Sequence, residues 1–194
     1  MKGLFKGVWI IIIEQLQGVY LWELELAAII SLIIVLIPGY IGIKKKKITL
    51  SRVANIFFVI FYLETIVIIT IIRREPGSRS GLINTKLNLG SLEGGVYSLR
   101  QMFYCILNVL LFVPWGLMIK LLRGKDCLLR NYVMTVLICF STSFFIEITQ
   151  LITGRGRFEI TDILMNVIGG AIGALLGVAY HSFNAVREVL NETV

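Results

Sequence analysis

The sequence of 194 residues is short of histidine, cysteine, proline and charge: it has one histidine (His181), three cysteines and three prolines. Only 16% of its residues are charged, whereas an average soluble domain has about 25%. One histidine argues against a histidine base or a histidine-rich metal site. The odd number of cysteines argues against a disulfide framework, and their spacing is not that of a metal site. The 57% apolar content excludes a soluble globular enzyme, a disordered chain and a free nucleic-acid-binding domain.

The positive charge of the chain belongs to its connections. The net charge is +7 and the pI is near 9.5. Basic loops that face anionic lipid explain this charge without a nucleic-acid partner. We therefore predict membrane lipids as partners and no nucleic acid.

Five apolar segments are about long enough to cross a bilayer, which needs roughly 20 helical residues. The backbone has no water partner inside lipid, so these segments are predicted to be helices. The expected fold is an all-α, polytopic membrane helix bundle with about five transmembrane helices. The predicted spans are 24–43, 53–72, 102–122, 131–152 and 163–180.

The first 23 residues differ from the rest of the chain. They open with two lysines and an apolar stretch, but Glu14 and Gln15 follow and no small-residue cleavage site does. Apolar side chains recur there at helical spacing, which favours an amphipathic helix lying in the membrane interface; a further short span is the alternative. The predicted division is an interfacial segment over 1–23 and a membrane bundle over 24–194.

The loop charges predict the orientation of the bundle. Residues 44–52 carry five basic side chains and no acid, and residues 120–130 carry four against Asp126. Two spans separate these loops, so they lie on one side, which the positive-inside rule makes cytoplasmic. This places the N-terminus outside, the C-terminus inside and the long 73–101 connection outside the cell.

Polar side chains cluster near one predicted end of the last three spans. Such residues are costly at membrane depth and usually have a function there. They come from three helices and the connection 153–159, and we expect them at outer-leaflet or interface depth. The candidate binding cluster is Asn108, Glu147, Gln150, Arg155, Arg157, Asp162 and Asn166.

A second set of residues points to close helix packing. Two overlapping GxxxG spacings lie in the fifth span, and small residues four apart let helices approach closely. A proline within the third span tends to kink it. The predicted packing residues are Pro114, Gly116, Gly169, Gly170, Gly173 and Gly177.

The polar cluster has two possible interpretations. It can bind a ligand, or it can be a buried network that pairs Glu147 with Arg155 and Asp162 with Asn166 or a loop amide. Glu64, near the middle of the second span, has no evident partner in the sequence.

Five motifs in one order resemble the VanZ-like family of small bacterial membrane proteins, with residues 102–180 as its core. They are N-x5-P-x-G from Asn108, E-x2-Q from Glu147, GRG-x-F from Gly154, and D-x3-N followed by GG-x2-G from Asp162 to Gly173. Two features depart from the family pattern. Thr161 replaces one acid of the run before Asp162, and Gly90-Ser91 follows Asn88-Leu89 where a Pro-Phe pair is frequent.

The resemblance implies a cell-envelope protein linked to low-level resistance to lipid-tailed glycopeptides such as teicoplanin. The expected role is binding or excluding an amphiphile, either such a glycopeptide or a lipid-linked cell-wall precursor, at the outer membrane face. This hypothesis includes no cofactor and no metal.

Two alternatives remain open. The first is a membrane-embedded enzyme that acts on a lipid-linked or phosphorylated substrate, with Glu147 and Asp162 as acid and base or as ligands of a divalent ion together with Asn166. The second is a small proton-coupled transporter, or a transporter subunit, that uses Glu64 and Glu147. The sequence does not indicate the oligomeric state.

Overall fold

A computed structural model describes residues 13, 19–77, 82–91, 95–124 and 127–192. Within these residues the chain forms five long helices, which confirms the predicted all-α membrane bundle. The proposed interfacial helix in 1–23 falls mostly outside the described residues and stays a prediction. The helices are α1 (Leu21–Lys44), α2 (Leu50–Val67), α3 (Gly95–Arg123), α4 (Leu128–Thr153) and α5 (Ile160–Glu192).

Three short elements complete the described structure. A π-helical turn, Ile68–Ile72, continues α2 directly. Strand β1 (Ile83–Asn84) pairs in parallel with β2 (Phe158–Glu159), with Ile83 opposite Phe158. This small sheet attaches the long connection before α3 to the connection before α5.

All five helices are long and apolar enough to cross a membrane. Two of them extend by more than a turn beyond the predicted spans: α3 begins at Gly95, not at residue 102, and α5 continues to Glu192. Hydropathy measures the part of a helix that lies in lipid, so the polar turns at helix ends escape it.

Local residues explain where the helices begin and end. The Glu23 carboxylate accepts a hydrogen bond from the Tyr20 main-chain N–H at the start of α1. The Thr49 hydroxyl accepts from the Arg52 N–H at the start of α2. Both contacts satisfy helix donors that have no partner within the helix. Gly154, with a φ of 62°, ends α4 in the left-handed conformation that suits glycine.

Helices α3 and α5 pack against each other through glycines. A Cβ atom added at Gly116, Gly169 or Gly173 would collide with the main chain of the facing helix. These contacts join the two backbones directly, which is the arrangement expected of small residues in membrane helices. Pro114 lies between these contacts within the continuous helix α3.

The other two glycines of the stripe face side chains. A Cβ at Gly170 would lie 2.5 Å from the sulfur of Cys139 in α4, and one at Gly177 would lie 2.6 Å from Cγ of Lys120. The fully buried Lys120 directs its ammonium group to the Gly124 carbonyl, 3.0 Å away, at the end of α3. The glycine stripe of α5 therefore faces both α3 and α4.

The apolar core lies between α2, α3 and α4, where Trp115 and Phe112 are almost completely buried. The Tyr62 hydroxyl of α2 donates to the Leu111 carbonyl of α3 at 2.8 Å. The buried apolar side chains in contact with one another are Ile66, Phe112, Trp115, Ile119, Cys139 and Ile146.

At one end of the bundle, the end of α2, the end of α4 and the start of α5 lie at the level of Cys105 in α3. Asn88 shows this directly because it contacts both Cys105 and Thr161. We call this end the rim and define it as residues 70–74, 104–108 and 147–162. It contains six of the seven candidate binding residues, and Asn166 lies one helical turn deeper.

Candidate functional site

The π-helical turn at the end of α2 presents main-chain oxygens to the rim. The buried Gln150 side chain donates from Nε2 to the Thr70 carbonyl at 3.1 Å. Arg155 donates from Nη1 to the carbonyls of Ile71, at 3.2 Å, and Ile72, at 3.0 Å. Carbonyls at a helix end need partners because no following turn supplies them. Gln150 and Arg155 therefore fasten α2 to α4 and to the 153–159 connection.

Two glycines shape that connection. After Gly154 ends α4, the Arg155 N–H bonds to the Gln150 carbonyl at 3.0 Å. A Cβ at Gly156 would lie 2.7 Å from Nη1 of Arg74 and 2.7 Å from Oε1 of Gln150. The GRG motif thus serves two purposes: its first glycine turns the chain, and its second gives the Arg74 and Gln150 side chains room.

Carboxylates from two helices and a connection meet at the rim. Glu147 of α4 is only 2% exposed, and its Oε2 accepts from the Glu159 N–H at 2.9 Å. Asp162 of α5 accepts a side-chain hydrogen bond from Asn108 of α3. Glu147, Glu159 and Asp162 also interact electrostatically with one another. A nearby cation or a bound proton offsets the mutual repulsion of such acids.

Arg74 supplies a positive charge that sequence reasoning missed. It interacts electrostatically with both Glu147 and Asp162 and lies against Gly156. Its neighbour Arg73 is partly buried, and this burial, together with the Arg74 charge, lowers the pKa of Arg73 below its usual range. In the sequence the two arginines were informative only as loop charges, because Arg74 and Glu147 lie 73 positions apart along the chain.

A segment that we call the strap, residues 82–91, lies across the start of α5. Thr161 is completely buried, and its hydroxyl accepts a hydrogen bond from the Asn88 N–H at 3.0 Å. The same hydroxyl donates to the Lys86 carbonyl at 3.4 Å. The Cys105 thiol lies 3.7 Å from the Asn88 carbonyl. Thr161, which departs from the acidic family pattern, thus holds the strap to the bundle.

Asn166 lies deeper in the bundle and bridges two helices. Its Nδ2 donates to the Ser143 hydroxyl of α4 at 2.9 Å, and both side chains are buried. Its Oδ1 has no hydrogen-bond partner within the described part of the chain. Glu64 takes part in a different contact, accepting from the Ser31 hydroxyl of α1 at 2.7 Å. Glu64 therefore joins α1 to α2.

The rim differs in three ways from the buried network considered from the sequence. Arg155 donates to main-chain carbonyls at the end of α2, whereas the network alternative paired it with Glu147. Asn166 bonds to Ser143 and not to Asp162. The loop amide at Glu159 binds Glu147, although a loop amide was considered for Asp162. Main-chain partners of this kind leave no signal in a side-chain pattern.

Arg157 is the candidate residue that points away from the network. Its side chain is exposed, and no described residue forms a hydrogen bond or ion pair with it. The large apolar side chains of Ile152 and Ile160, on either side of the connection, are 79% and 40% exposed. The rim thus offers a cation with exposed apolar side chains before and after it in the chain.

The described residues contain no group of three or more His, Cys, Asp or Glu side chains placed to hold a metal ion. Amides, carboxylates and guanidinium groups therefore provide the chemistry available at the rim: hydrogen bonding, charge pairing and proton exchange.

The VanZ/LLP1 family model matches residues 26–181. This match runs from α1 to α5 and thus reaches beyond the motifs, which cover only the last three spans. The comparisons with curated proteins and with solved structures give no match. With the family match covering most of the chain and five helices able to span a bilayer, the chain belongs to the VanZ/LLP1 family and is a multi-pass membrane protein.

Proposed function

We propose that this protein acts in the bacterial cell envelope by binding or excluding an amphiphile at its rim, without catalysing a reaction. The observation that carries the proposal is the convergence of polar side chains from helices α3, α4 and α5 on one end of the bundle, beside exposed apolar side chains. Polar groups at this depth are costly unless they have a structural or functional role.

The rim separates into a fastening part and a part that faces outward. In the fastening part, side chains form hydrogen bonds to main-chain groups of neighbouring elements and hold these elements together. These side chains belong to Gln150, Arg155 and Thr161. Arg157 is exposed, and Glu159 and Asp162 are only partly buried. We assign ligand contact to these three side chains.

The surroundings of Arg157 favour a ligand with an anionic head and an apolar tail. A guanidinium group pairs well with carboxylate or phosphate, often through two hydrogen bonds. Ile152 and Ile160, on either side, offer an apolar surface that continues along the helices towards lipid. A lipid-tailed glycopeptide such as teicoplanin, or a lipid-linked cell-wall precursor, has this combination of groups.

Binding to purified protein in lipid nanodiscs tests the proposal. Teicoplanin and a glycopeptide without the lipid tail serve as the probes, and a lipid-linked precursor serves as the second ligand. We expect tail-dependent binding that Arg157→Ala weakens about ten-fold or more, since a charge-assisted hydrogen bond contributes about 1.5–3 kcal/mol.

The matched control is Arg130→Ala, because Arg130 is also exposed but lies at the start of α4, at the opposite end of the bundle. Arg130→Ala should bind as the unchanged protein does. Equal affinities for the two variants would exclude Arg157 as a ligand contact. Binding of neither teicoplanin nor the precursor would refute the proposed ligand class.

A second candidate function is a membrane-embedded enzyme, which the electrostatic contact between Glu147 and Asp162 favours. Two interacting carboxylates on neighbouring helices can serve as acid and base if their environments hold one protonated. The partial exposure of Asp162 gives a substrate one way to reach the pair.

Turnover of a lipid-linked or phosphorylated substrate by the purified protein separates the two candidates. In the enzyme hypothesis, Glu147→Gln abolishes turnover but leaves ligand binding intact, because the amide still accepts from the Glu159 N–H. In the binding hypothesis, the unchanged protein binds its ligand and converts none of it.

A further inference from the structure

The strap carries large apolar side chains that the described chain leaves about half exposed. Leu82, Ile83, Leu87 and Leu89 are between 46% and 62% exposed. In a connecting loop surrounded by water, such a concentration of exposed apolar groups is unusual and marks an interaction surface.

The strap is held in place and cannot turn these side chains inward without breaking contacts. Thr161 and Cys105 hold it at Asn88, and the Phe158 N–H donates to the Leu82 carbonyl at 3.0 Å. At its other end, the Ser91 N–H donates to the Ser98 hydroxyl of α3 at 2.6 Å. Its outward face is therefore a fixed surface of the protein.

Counting along α3 gives the depth of the strap. Cys105 and Arg123 are 18 residues apart, and at 1.5 Å per residue this is about 27 Å, close to the roughly 30 Å of the hydrocarbon layer. With Arg123 and the basic loop at one membrane boundary, Cys105 and the attached strap lie near the other. Tyr97, eight residues before Cys105, lies about 12 Å further out.

We infer that the outward face of the strap lies in the lipid headgroup layer of the nearer leaflet, with its four apolar side chains among the upper acyl chains. Lys86, exposed in the middle of the strap, is then at the level of the lipid phosphates. Apolar side chains with a neighbouring cation are the combination that binds to a membrane interface. This inference does not depend on the proposed ligand.

Fluorescence quenching tests the inference on the full chain. Cys127, the exposed native cysteine, is replaced by serine, and an environment-sensitive dye is attached to Leu87→Cys or, as the matched control, to Tyr97→Cys. Tyr97 is 88% exposed and near the start of α3. The labelled proteins are reconstituted into phosphatidylcholine vesicles, with bromines placed high on the acyl chains in one set.

We expect the dye at position 87 to show blue-shifted emission, strong quenching by brominated lipid and weak quenching by aqueous iodide. The dye at position 97 should show the opposite pattern. Circular dichroism before and after labelling confirms that both variants are folded. Equal iodide quenching at the two positions would overturn the inference.

The N-terminal segment is another group that can cover the strap, and its deletion separates the two explanations. If lipid covers the strap, removing residues 1–18 leaves the quenching pattern at position 87 unchanged. If the deletion exposes position 87 to iodide, the segment and not the bilayer is the occupant, and the inference is wrong.

Discussion

Replacing Arg155 by alanine should destabilise the bundle, because this side chain joins the 153–159 connection to the end of α2. Its Nη1 lies 3.2 Å from the Ile71 carbonyl and 3.0 Å from the Ile72 carbonyl. A hydrogen bond from a charged donor contributes about 1.5–3 kcal/mol. Both acceptors share one nitrogen and Arg155 is only half-buried, so we expect a total loss of about 2 kcal/mol.

The measurement is the free energy of unfolding in mixed micelles, where sodium dodecyl sulfate is titrated into a non-ionic detergent and helicity is followed by circular dichroism. A loss of about 2 kcal/mol changes the unfolding equilibrium roughly thirty-fold. Arg155→Lys should lose about half as much, since the ammonium group keeps the charge but not the planar shape of the guanidinium.

Arg157 provides the comparison within the same turn. Arg157→Ala removes the same chemical group from an exposed position, so its effect on stability should stay within about 0.5 kcal/mol. If Arg155→Ala is as mild as Arg157→Ala, the carbonyl contacts do not fasten α2. The two residues should therefore have opposite profiles: Arg155 for stability and Arg157 for ligand binding.

Three further changes test other contacts, each measured against the unchanged protein. Glu147→Ala leaves the N–H of Glu159 without its acceptor and should cost about 1–3 kcal/mol in the same unfolding assay. Thr161→Val removes the hydroxyl that holds the strap, so amide hydrogen exchange in the strap should accelerate while the helices stay protected. Gly116→Ala places a methyl group against the main chain at Gly170 and should cost about 1–3 kcal/mol or more, because backbone cannot change rotamer.

Matched controls accompany these changes. Glu147→Gln keeps an acceptor oxygen and should lose less stability than Glu147→Ala. Thr161→Ser keeps the hydroxyl and should leave strap exchange slow. Gly177→Ala meets the side chain of Lys120, which can move, so it should be milder than Gly116→Ala. A control as severe as its partner would refute the contact in question.

Most of the fold was predictable from the sequence because the bilayer imposes one length and one kind of structure on each span. The apolar runs located all five helices. They missed the first turns of α3 and the last turns of α5, where polar residues such as Gln101 and Arg187 continue the helix outside the apolar run. Nothing in hydropathy marks where such a helix ends.

The sequence predicted the level of the site residues along the helices better than it predicted which groups they bind. Counting from span ends placed Glu147, Gln150 and Asp162 at one level, and the structure brings them to one rim. The partners of Gln150 and Arg155 are main-chain carbonyls. Every residue has such a carbonyl, so the sequence does not indicate which one a side chain will bind. Arg74 escaped attention because its contact with Glu147 depends on how α2 packs against α4, a matter that spacing along one helix does not describe.

The π-helical turn at Ile68–Ile72 holds one residue more than an α-helical turn of the same kind would need. If the same five residues relaxed into an α-helical turn, the extra residue would rotate the carbonyl oxygens at the end of α2 by roughly 100°. The side chains of Gln150 and Arg155 would then lose their carbonyl acceptors, although every apolar residue earlier in α2 kept its place. The direction in which the end of α2 presents its carbonyl oxygens therefore depends on this one turn.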